Sequence, residues 1–533
     1  MRNILNKTNK KLIKAFTVLE LIIVIVIIGI LSTVVYISYD GVQARAHDVS
    51  VLSDLDTLDA LETSYVLNNG NALAYYSNDG ARIEGLDFSP SDNNVIDIVT
   101  DGDAYCIRGY NTLGSKNSIF NAFTKESNDG ICDSLNASDV VMSDYYSEAF
   151  PNGLWSQVDT NYHHVCALNL DGKAYCWGFN ESGQLGNGTT DESLIPTAVD
   201  MSDVLHGKTL RYIASGYDHT CAIASDDLVY CWGETIALGT GNTTWYTIPA
   251  AVYTSGALNG KTVKSLAVGS FSNCAIASDD LAYCWGANSD GQLGDNSTIS
   301  RLEPTPLYML GYLSGKTIKE VSLSEYHGCA IASDDLAYCW GWNYYGQLGN
   351  NSTSDSIVPV PVYTAGNLSG KTIKSIITNS YDDGYTCAIA SDDLAYCWGW
   401  NYYGQLGNNS TSDSIVPVPV YTAGNLSGKT IKSLSVGEHH TCAIASDDLA
   451  YCWGNNSNGQ LGNNSTTQSN VPVPVNMSGV LSGKTIKSIT AGASSTCALA
   501  SDNQLYCWGR NLYGELGNGS NTGSLVPKFV YPY

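Results

Sequence analysis

A cysteine-bounded motif that recurs seven times constrains the fold of this 533-residue chain more than any other feature. Its commonest form is CAIASDDLAYCWG, and residues 329–375 and 387–433 are nearly copies of each other. The first cysteines of successive motifs lie 53 to 58 positions apart, at Cys166, Cys221, Cys274, Cys329, Cys387, Cys442 and Cys497. A period of about 50 residues with glycines and aromatic residues at fixed offsets is typical of a propeller or an array of repeats.

Each repeat is predicted to form four strands, as the sixth repeat illustrates. Turn residues separate strands at Ile431–Val436, Thr441–Ala445 and Leu449–Trp453, and a Ser-Asp-Asp hairpin turn joins the last two. The fourth strand, Val471–Val475, alternates valine with proline, so it should lie at the outer edge of its sheet. Seven units of four strands predict an all-β propeller with seven blades over residues 154–533.

The two cysteines of each repeat lie ten positions apart, on the two strands of the predicted hairpin. An odd-length turn places such residues directly opposite each other, with Cβ atoms about 4.5–5.5 Å apart. A zinc site is the alternative, but C-x9-C is not a zinc spacing. We therefore predict one disulfide in each repeat. The pairs are Cys166–Cys176, Cys221–Cys231, Cys274–Cys284, Cys329–Cys339, Cys387–Cys397, Cys442–Cys452 and Cys497–Cys507.

The pattern H-T-C-A-x-A…YCWG…GQLG closely resembles the repeat of the RCC1 family (regulator of chromosome condensation) and recurs over residues 154–533. That family includes a nuclear exchange factor for a small GTPase and a secreted inhibitor of β-lactamase. The resemblance implies a protein that binds partners on a propeller face. The second repeat departs from the pattern, since residues 234–239 lack the Gly-Gln pair, and local remodelling of that blade is expected.

The N-terminus combines a basic leader with an apolar segment. Residues 1–15 carry five basic residues and no acid, and residues 16–39 carry one charge, Glu20. About 19 uncharged residues follow Glu20, which is enough to span a bilayer, and the preceding basic residues should keep the leader cytoplasmic. A lone carboxylate inside such a helix costs about 2.5–3.5 kcal/mol near the bilayer centre, so it requires a partner.

The segment KAFTVLELIIVIVIIGIL resembles the processing site of type IV pilins and pseudopilins. The resemblance implies cleavage by a prepilin peptidase between Ala15 and Phe16, followed by N-methylation of Phe16. It also implies that Glu20 pairs with the N-terminal amine of a neighbouring pilin subunit during assembly. Ala15 stands where the family usually has glycine, so slower processing is expected. A simple membrane anchor is the alternative.

The rest of the N-terminal region follows the pilin plan. Apolar residues spaced by three or four extend the apolar segment into one long α-helix over residues 16–67. Residues 68–133 are predicted to form a small α+β headgroup, with strands at Val95–Thr100, Ala104–Tyr110 and Ile119–Phe123. Pilin headgroups often close a C-terminal loop with one disulfide, and Cys106–Cys132 fits that role. Residues 134–153 are predicted to be a linker.

The remaining motifs do not indicate catalysis. Gly-Lys-Thr recurs in six repeats, but its spacing is one residue short of a P-loop and a strand follows it. His164, His219, His327 and His440 share one repeat position, so a packing role is expected. The Asp-Asp turns lack the ligand density of a calcium loop. We therefore expect no enzyme activity, cofactor or metal.

The loop after Cys-Trp-Gly varies between repeats and gives the candidate ligand face. In the fourth and fifth repeats aromatic residues flank an asparagine, a composition typical of adaptable binding surfaces and sugar-stacking platforms. The alternative is that these rings pack between blades. The candidate residues are Trp342, Tyr344, Tyr345, Trp400, Tyr402 and Tyr403.

These observations predict a minor type IV pilin on the surface of a bacterium. Residues 16–39 would insert in the membrane, and the extracytoplasmic propeller would serve as an adhesion head for a protein or glycan. The net charge is −25, and −30 without residues 1–15, which disfavours a nucleic-acid ligand. The alternatives are a membrane-tethered receptor or inhibitor outside any filament, and a pseudopilin of a secretion or DNA-uptake system.

Overall fold

The computed structural model describes residues 154–234, 236–379 and 384–531, together with three strands nearer the N-terminus. The chain divides into two compact units, Met1–Glu148 and Ala149–Tyr533. The leader, the long helix, the linker and most of the headgroup, including Cys132 of its proposed disulfide, lie outside the described residues. No helix among the described residues is long and apolar enough to cross a membrane.

In the first unit the described strands form one antiparallel sheet in chain order. They are β1 (Asn94–Asp101), β2 (Ala104–Asn111) and β3 (Ile119–Thr124). Their positions match the three strand segments that the sequence predicts for the headgroup.

The second unit is a propeller of seven four-stranded antiparallel blades, which confirms the prediction. Blade 1 contains β4 (Trp155–Thr160), β5 (His164–Asn169), β6 (Ala174–Gly178) and β7 (Ser193–Ala198). Blade 2 contains β8 (Leu210–Ser215), β9 (His219–Ala224), β10 (Val229–Gly233) and β11 (Tyr246–Ala251). Blade 3 contains β12 (Val263–Val268), β13 (Ser272–Ala277), β14 (Ala282–Gly286) and β15 (Arg301–Pro306). Blade 4 contains β16 (Ile318–Leu323), β17 (His327–Ala332), β18 (Ala337–Gly341) and β19 (Ser356–Pro361).

The last three blades repeat the arrangement. Blade 5 contains β20 (Ile373–Thr378), β21 (Tyr385–Ala390), β22 (Ala395–Gly399) and β23 (Ser414–Pro419). Blade 6 contains β24 (Ile431–Val436), β25 (His440–Ala445), β26 (Ala450–Gly454) and β27 (Ser469–Pro474). Blade 7 contains β28 (Ile486–Ala491), β29 (Ser495–Ala500), β30 (Leu505–Gly509) and β31 (Ser524–Phe529). Short 3₁₀ turns at Gly311–Leu313 and Gly479–Leu481 precede blades 4 and 7.

The first strand of each blade is the innermost, because it packs against the first strand of the next blade around the whole ring. The proline-containing fourth strand is the outer edge, as predicted. The ring closes where β28 and β29 of blade 7 pack against β4 of blade 1, so no strand is shared between these two blades. All hydrophobic core clusters joining the blades consist of residues of this unit.

The hairpin turn that joins the second and third strands needs one residue with positive φ. In blade 6 this residue is Asp448, at φ 62°, and the Ala445 carbonyl accepts its N–H at 3.0 Å. The other blades also use residue types that tolerate the left-handed region. The residues are Gly172, Asp227, Asp280, Asp335, Asp393, Asp448 and Asn503. This explains why the Ser-Asp-Asp turn recurs.

The same hairpins bring the two cysteines of each repeat opposite each other. All seven pairs are bonded, with Cα–Cα distances of 4.0–4.1 Å and fully buried side chains. The partners are the seven in-repeat pairs given above. The hairpin register that the cysteine spacing implies is therefore the register of the structure.

A tryptophan and a glycine form the contact that joins neighbouring blades. The Trp232 Nε1–H donates to the Gln184 carbonyl of blade 1 at 2.9 Å. Gly186 lies so close to this ring that a Cβ atom would come within 2.5 Å of Nε1. The contact recurs at every blade boundary, so the YCWG tryptophan of one repeat requires the LG pair of the preceding repeat.

Side chains of the preceding blade accept hydrogen bonds from unpaired N–H groups at the inner edge of the first strand. The Asp159 carboxylate accepts the Ser215 N–H at 2.7 Å, Glu320 accepts the Ile376 N–H at 3.1 Å, and the Ser435 hydroxyl oxygen accepts the Ala491 N–H at 2.8 Å. These bonds satisfy edge donors that no neighbouring strand pairs with.

Blade 2 keeps this architecture despite its divergent loop. Ala237 takes the place of the usual glutamine, and its carbonyl accepts the Trp285 Nε1–H at 2.9 Å. Leu238 is fully buried, and Gly239 packs on the Trp285 ring. The expected remodelling therefore leaves the blade–blade contact unchanged.

Candidate binding face

The strand order gives the propeller two chemically different faces. The connections between first and second strands and between third and fourth strands lie at one end, which we call the loop face. The hairpin turns and the connections to the next blade lie at the other end, the turn face. Strand β4 begins at the turn face, so residue 154, where the chain enters the propeller, lies opposite the loop face.

Ion pairs stabilise the turn face. The Lys429 Nζ donates to the Asn425 carbonyl at 2.9 Å, contacts Asp447 at 3.0 Å and lies 4.6 Å from the centroid of the Tyr451 ring. Lys432 pairs with Asp448 at 2.5 Å. Equivalent lysine–aspartate pairs occur in neighbouring blades. The Gly-Lys-Thr lysine and both turn aspartates therefore fasten the connection between blades to the hairpin.

The four repeat histidines also have a structural role. Each is buried and its Nε2 bonds a side chain of the next blade, for example His440 to the Thr496 hydroxyl at 2.9 Å. The other three bonds have lengths of 2.9–3.0 Å. Burial lowers the pKa of His164, His327 and His440 to about 3 and that of His219 to about 4.

An asparagine shapes the variable loop from within in six of the seven blades, and blade 2 has Thr235 at that position. Asn343 is fully buried, its Nδ2 donates to the Ser352 and Ser354 carbonyls at 2.9 Å, and its Oδ1 accepts the Leu348 N–H at 2.9 Å. Asn401 makes the corresponding bonds in blade 5. The sequence pattern groups these asparagines with the binding surface, but they are scaffold residues, and their aromatic neighbours lie on the surface.

The six predicted ligand-face residues come together on the loop face. In blade 4, Trp342 lies 6.1 Å from Tyr344 and 5.6 Å from Tyr345 between ring centroids. Tyr345 also reaches Trp400 of blade 5, at 6.3 Å. Tyr326 at one end and His439 at the other extend the row. We call this row the aromatic strip: Tyr326, Trp342, Tyr344, Tyr345, Trp400, Tyr402, Tyr403 and His439.

The rings of the strip differ in solvent exposure, and this separates those that pack between blades from those that can contact a ligand. Tyr344 and Tyr402 are each 66% exposed, whereas the tryptophans are half-buried. Rings therefore pack across the boundary between blades 4 and 5, as the alternative interpretation required, while the outer tyrosines remain available to a ligand.

A second cluster, which the sequence pattern did not predict, lies at the boundary of blades 7 and 1. Glu515 replaces the usual glutamine of the GQLG loop; its carboxylate lies 3.7 Å from Arg510 Nε and 3.8 Å from His163 Nδ1. The ring of Tyr513 lies 4.8 Å from His163 and 5.0 Å from Phe179. The only sequence signal for this cluster is the change from GQLG to GELG in the seventh repeat. It could not be interpreted from sequence, because residues 163 and 515 become neighbours only when the ring closes.

The loop face is acidic as well as aromatic. Burial, followed by the nearby Glu234 and Glu181, raises the pKa of Asp218 to about 6. Among the described residues the loops and strand ends of this face carry two cationic side chains, Arg301 and Arg510, and each is paired with a carboxylate. In the part of the chain that the structure describes, no three histidine, cysteine or acidic side chains group as metal ligands would.

Comparison with family models gives the same two-part division. Residues 146–482 match the RCC1-like domain, and residues 486–515 and 502–532 match the regulator of chromosome condensation (RCC1) repeat. Residues 10–36 match the prokaryotic N-terminal methylation motif.

Known proteins resemble the propeller part of the chain. The ultraviolet-B receptor UVR8 of Arabidopsis thaliana is 31% identical over 371 residues, covering 69% of this chain and 79% of the receptor. The human E3 ubiquitin-protein ligase HERC2 is 27% identical over 68% of this chain, but the match spans only 7% of that protein.

Two solved structures share the fold at 20% identity and a TM-score of 0.57. Human WBSCR16 is matched over 67% of this chain and 94% of its own. Prp20p of Saccharomyces cerevisiae, which has been studied for its binding to Gsp1p and histones, is matched over 72% of this chain and 89% of its own. From the repeat pattern, the seven blades and these matches, the chain belongs to the RCC1-like propeller family and carries a prokaryotic N-methylation motif ahead of the propeller.

Proposed function

We propose that this protein is a minor type IV pilin-like protein that displays its propeller outside the cell as a binding head. The observation that carries the proposal is the N-methylation motif at residues 10–36 on the same chain as a disulfide-bonded propeller. Disulfides persist in oxidising, extracytoplasmic environments, which agrees with export of the propeller. A head of this mass would crowd a repeating filament, so low copy number is part of the proposal.

The binding surface of the head is the aromatic strip. Tyrosine and tryptophan offer large, rigid contact area with little loss of conformational entropy, and they are enriched where binding energy concentrates. Prp20p, which shares the propeller fold, has been studied for its binding to Gsp1p and histones, and we propose a protein or glycan ligand for this chain. The propeller is proposed to act by binding and not by catalysis.

Processing tests the pilin assignment. Mass spectrometry of the mature protein should find N-methylated Phe16 and no residues 1–15. An intact Met1, or cleavage beyond residue 35, would contradict the assignment.

Glu20→Ala should allow processing and impair filament incorporation, because the carboxylate is costly in apolar surroundings unless it pairs with a neighbouring subunit, and the variant removes that pairing. Normal incorporation of that variant would argue against the pairing role.

Localisation separates this proposal from its alternatives. Immunogold labelling of sheared filaments should place the propeller on filaments or at their tips. Label on cell bodies alone would favour a membrane-tethered receptor or inhibitor. Label that follows a secretion or DNA-uptake apparatus would favour a pseudopilin.

A further inference from the structure

The aromatic strip contains the same three-ring unit twice. In each unit the ring of the tryptophan is nearly parallel to the ring of the outer tyrosine, and the two ring centroids are 6.1 Å apart. The interplanar angle is 10° in blade 4 and 14° in blade 5. The second tyrosine lies 5.6 Å from the tryptophan in both units, and the two tyrosines are 4.9 and 5.0 Å apart. The outer tyrosines have equal exposure. Blade 4 contributes Trp342, Tyr344 and Tyr345, and blade 5 contributes Trp400, Tyr402 and Tyr403.

Two units with the same three rings in the same arrangement should favour the same chemical group. The two units are also contiguous, because Tyr345 of the first contacts Trp400 of the second at 6.3 Å. A ligand with a repeating structure can occupy both units at once, and the second contact then forms at a high effective concentration. A partner whose surface does not repeat gains no such advantage from the second copy.

The surroundings narrow the chemistry of that repeating ligand. The C–H groups on the flat side of a pyranose ring carry partial positive charge and lie favourably on the negative face of an aromatic ring. The loop face is acidic, and its described cations are already paired, which disfavours polyanions such as DNA or acidic polysaccharides. We propose that the aromatic strip binds a neutral polysaccharide across two equivalent subsites, one in blade 4 and one in blade 5. This rests on the proposed function, since it assigns the ligand class of the same binding head.

Calorimetric titration of the full-length protein in detergent micelles tests the two-subsite proposal. The probes are the disaccharide and the hexasaccharide of β-1,4-linked N-acetylglucosamine and of β-1,4-linked glucose. For at least one sugar, we expect two disaccharides per chain but one hexasaccharide, bound at least tenfold more tightly. Tyr344→Ala with Tyr345→Ala should reduce the disaccharide stoichiometry to one and the hexasaccharide affinity to that of the disaccharide. Tyr402→Ala with Tyr403→Ala should do the same.

Leu512→Ala is the matched control. Leu512 occupies the repeat position of Tyr344 in blade 7, is 64% exposed and lies outside the strip, so its removal should change neither stoichiometry nor affinity. Circular dichroism melting of each variant checks that it is folded, which the surface position of the outer tyrosines favours.

Several outcomes would overturn the inference. One disaccharide per wild-type chain, or loss of all binding when one unit is changed, would exclude two equivalent subsites. Failure of every neutral oligosaccharide would refute the polysaccharide assignment, and capture of a basic peptide by the strip would replace it with a protein ligand. The proposed function fails by a separate result, namely an unprocessed N-terminus or filaments without label.

Discussion

The glycine that touches each blade-boundary tryptophan is required for two separable reasons. Gly349 has φ +62°, and a Cβ atom there would lie 2.5 Å from Trp398 Nε1. Gly370 has φ +72° but has nothing within 4 Å of its added Cβ. Gly370→Ala should therefore cost about 1 kcal/mol of unfolding free energy for the backbone alone. Gly349→Ala should cost about 3 kcal/mol or more, because overpacking adds to it.

Urea denaturation of the two glycine variants measures the difference directly. Equal unfolding free energies for Gly349→Ala and Gly370→Ala would show that the close approach of Gly349 to Trp398 does not constrain the fold.

The buried histidines make stability depend on pH with a defined sign. His440 has a pKa of about 3 in the folded protein, against about 6.5 when unfolded. Between these values only the unfolded chain binds the proton, so falling pH favours unfolding by about 1.4 kcal/mol per pH unit for each such histidine. Asp159, whose pKa burial raises to about 7, acts in the opposite direction and partly offsets this.

His440→Ser isolates one histidine, because Ser272 and Ser495 fill the same repeat position in blades 3 and 7. The variant should be less stable at pH 7, since it loses the Thr496 hydrogen bond, yet its stability should fall less steeply from pH 6.5 towards 4. Urea midpoints at several pH values give both slopes. His206→Ser, at an exposed position, should keep the wild-type slope, and an unchanged slope in His440→Ser would contradict the assignment.

At the scale of the element, the hairpin is the unit that the disulfides stabilise. Each bond closes a loop of about ten residues and should contribute about 2–3 kcal/mol by restricting the unfolded chain. Replacing Cys442 and Cys452 together with serine should lower the unfolding free energy by that amount. Non-reducing peptide mapping should recover seven in-repeat links and, from the pilin resemblance, Cys106–Cys132. Substantial linkage between repeats in solution would disagree with the hairpin register.

Elements were predictable from sequence where the determining residues are neighbours in the chain. The Ser-Asp-Asp turn, the cysteine spacing and the proline edge strand are all local signals, and they predicted the blade correctly. The roles of Asn343 and Glu515 were not predictable in this way. Asn343 holds its loop by hydrogen bonds to backbone carbonyls, and the sequence does not show which carbonyls a side chain will reach. Glu515 lies beside His163 only because the ring closes.

The aromatic strip lies between these two cases. Its residues were identified because the loop after Cys-Trp-Gly varies between otherwise similar repeats. Their contact across blades 4 and 5 followed from the prediction that consecutive repeats are adjacent blades. The participation of His439 was not predicted, because it comes from the first connection of blade 6 and not from a variable loop.

At the scale of the whole molecule, the boundary between blades 7 and 1 differs from the others in its chain connectivity. It has the same tryptophan contact, with Trp177 Nε1–H donating to the Glu515 carbonyl at 3.0 Å, but no chain connection joins the two blades directly. The boundary of blades 3 and 4 has a matching bond, from Trp340 to the Gln292 carbonyl at 2.8 Å, and the chain continues directly across it. Both tryptophan-bearing blades have Val165 or Gly328 where four other blades have a threonine and blade 3 has Asn273. Those threonines and Asn273 donate a second hydrogen bond to the same carbonyl, which Val165 and Gly328 cannot do, so the two tryptophan bonds are comparable.

Trp177→Phe and Trp340→Phe should therefore have similar effects on global stability, about 1–3 kcal/mol each, because each leaves one buried carbonyl without its donor. Their local effects should differ. Hydrogen exchange should rise in β4 and β28 of the Trp177 variant, since only non-covalent contacts hold blade 7 against blade 1. In the Trp340 variant, exchange in β12 and β16 should change less, because the connecting chain limits separation of the blades. Equal increases in hydrogen exchange at the two boundaries would contradict this prediction. They would mean that the boundary of blades 7 and 1 resists opening as well as a boundary crossed by the chain.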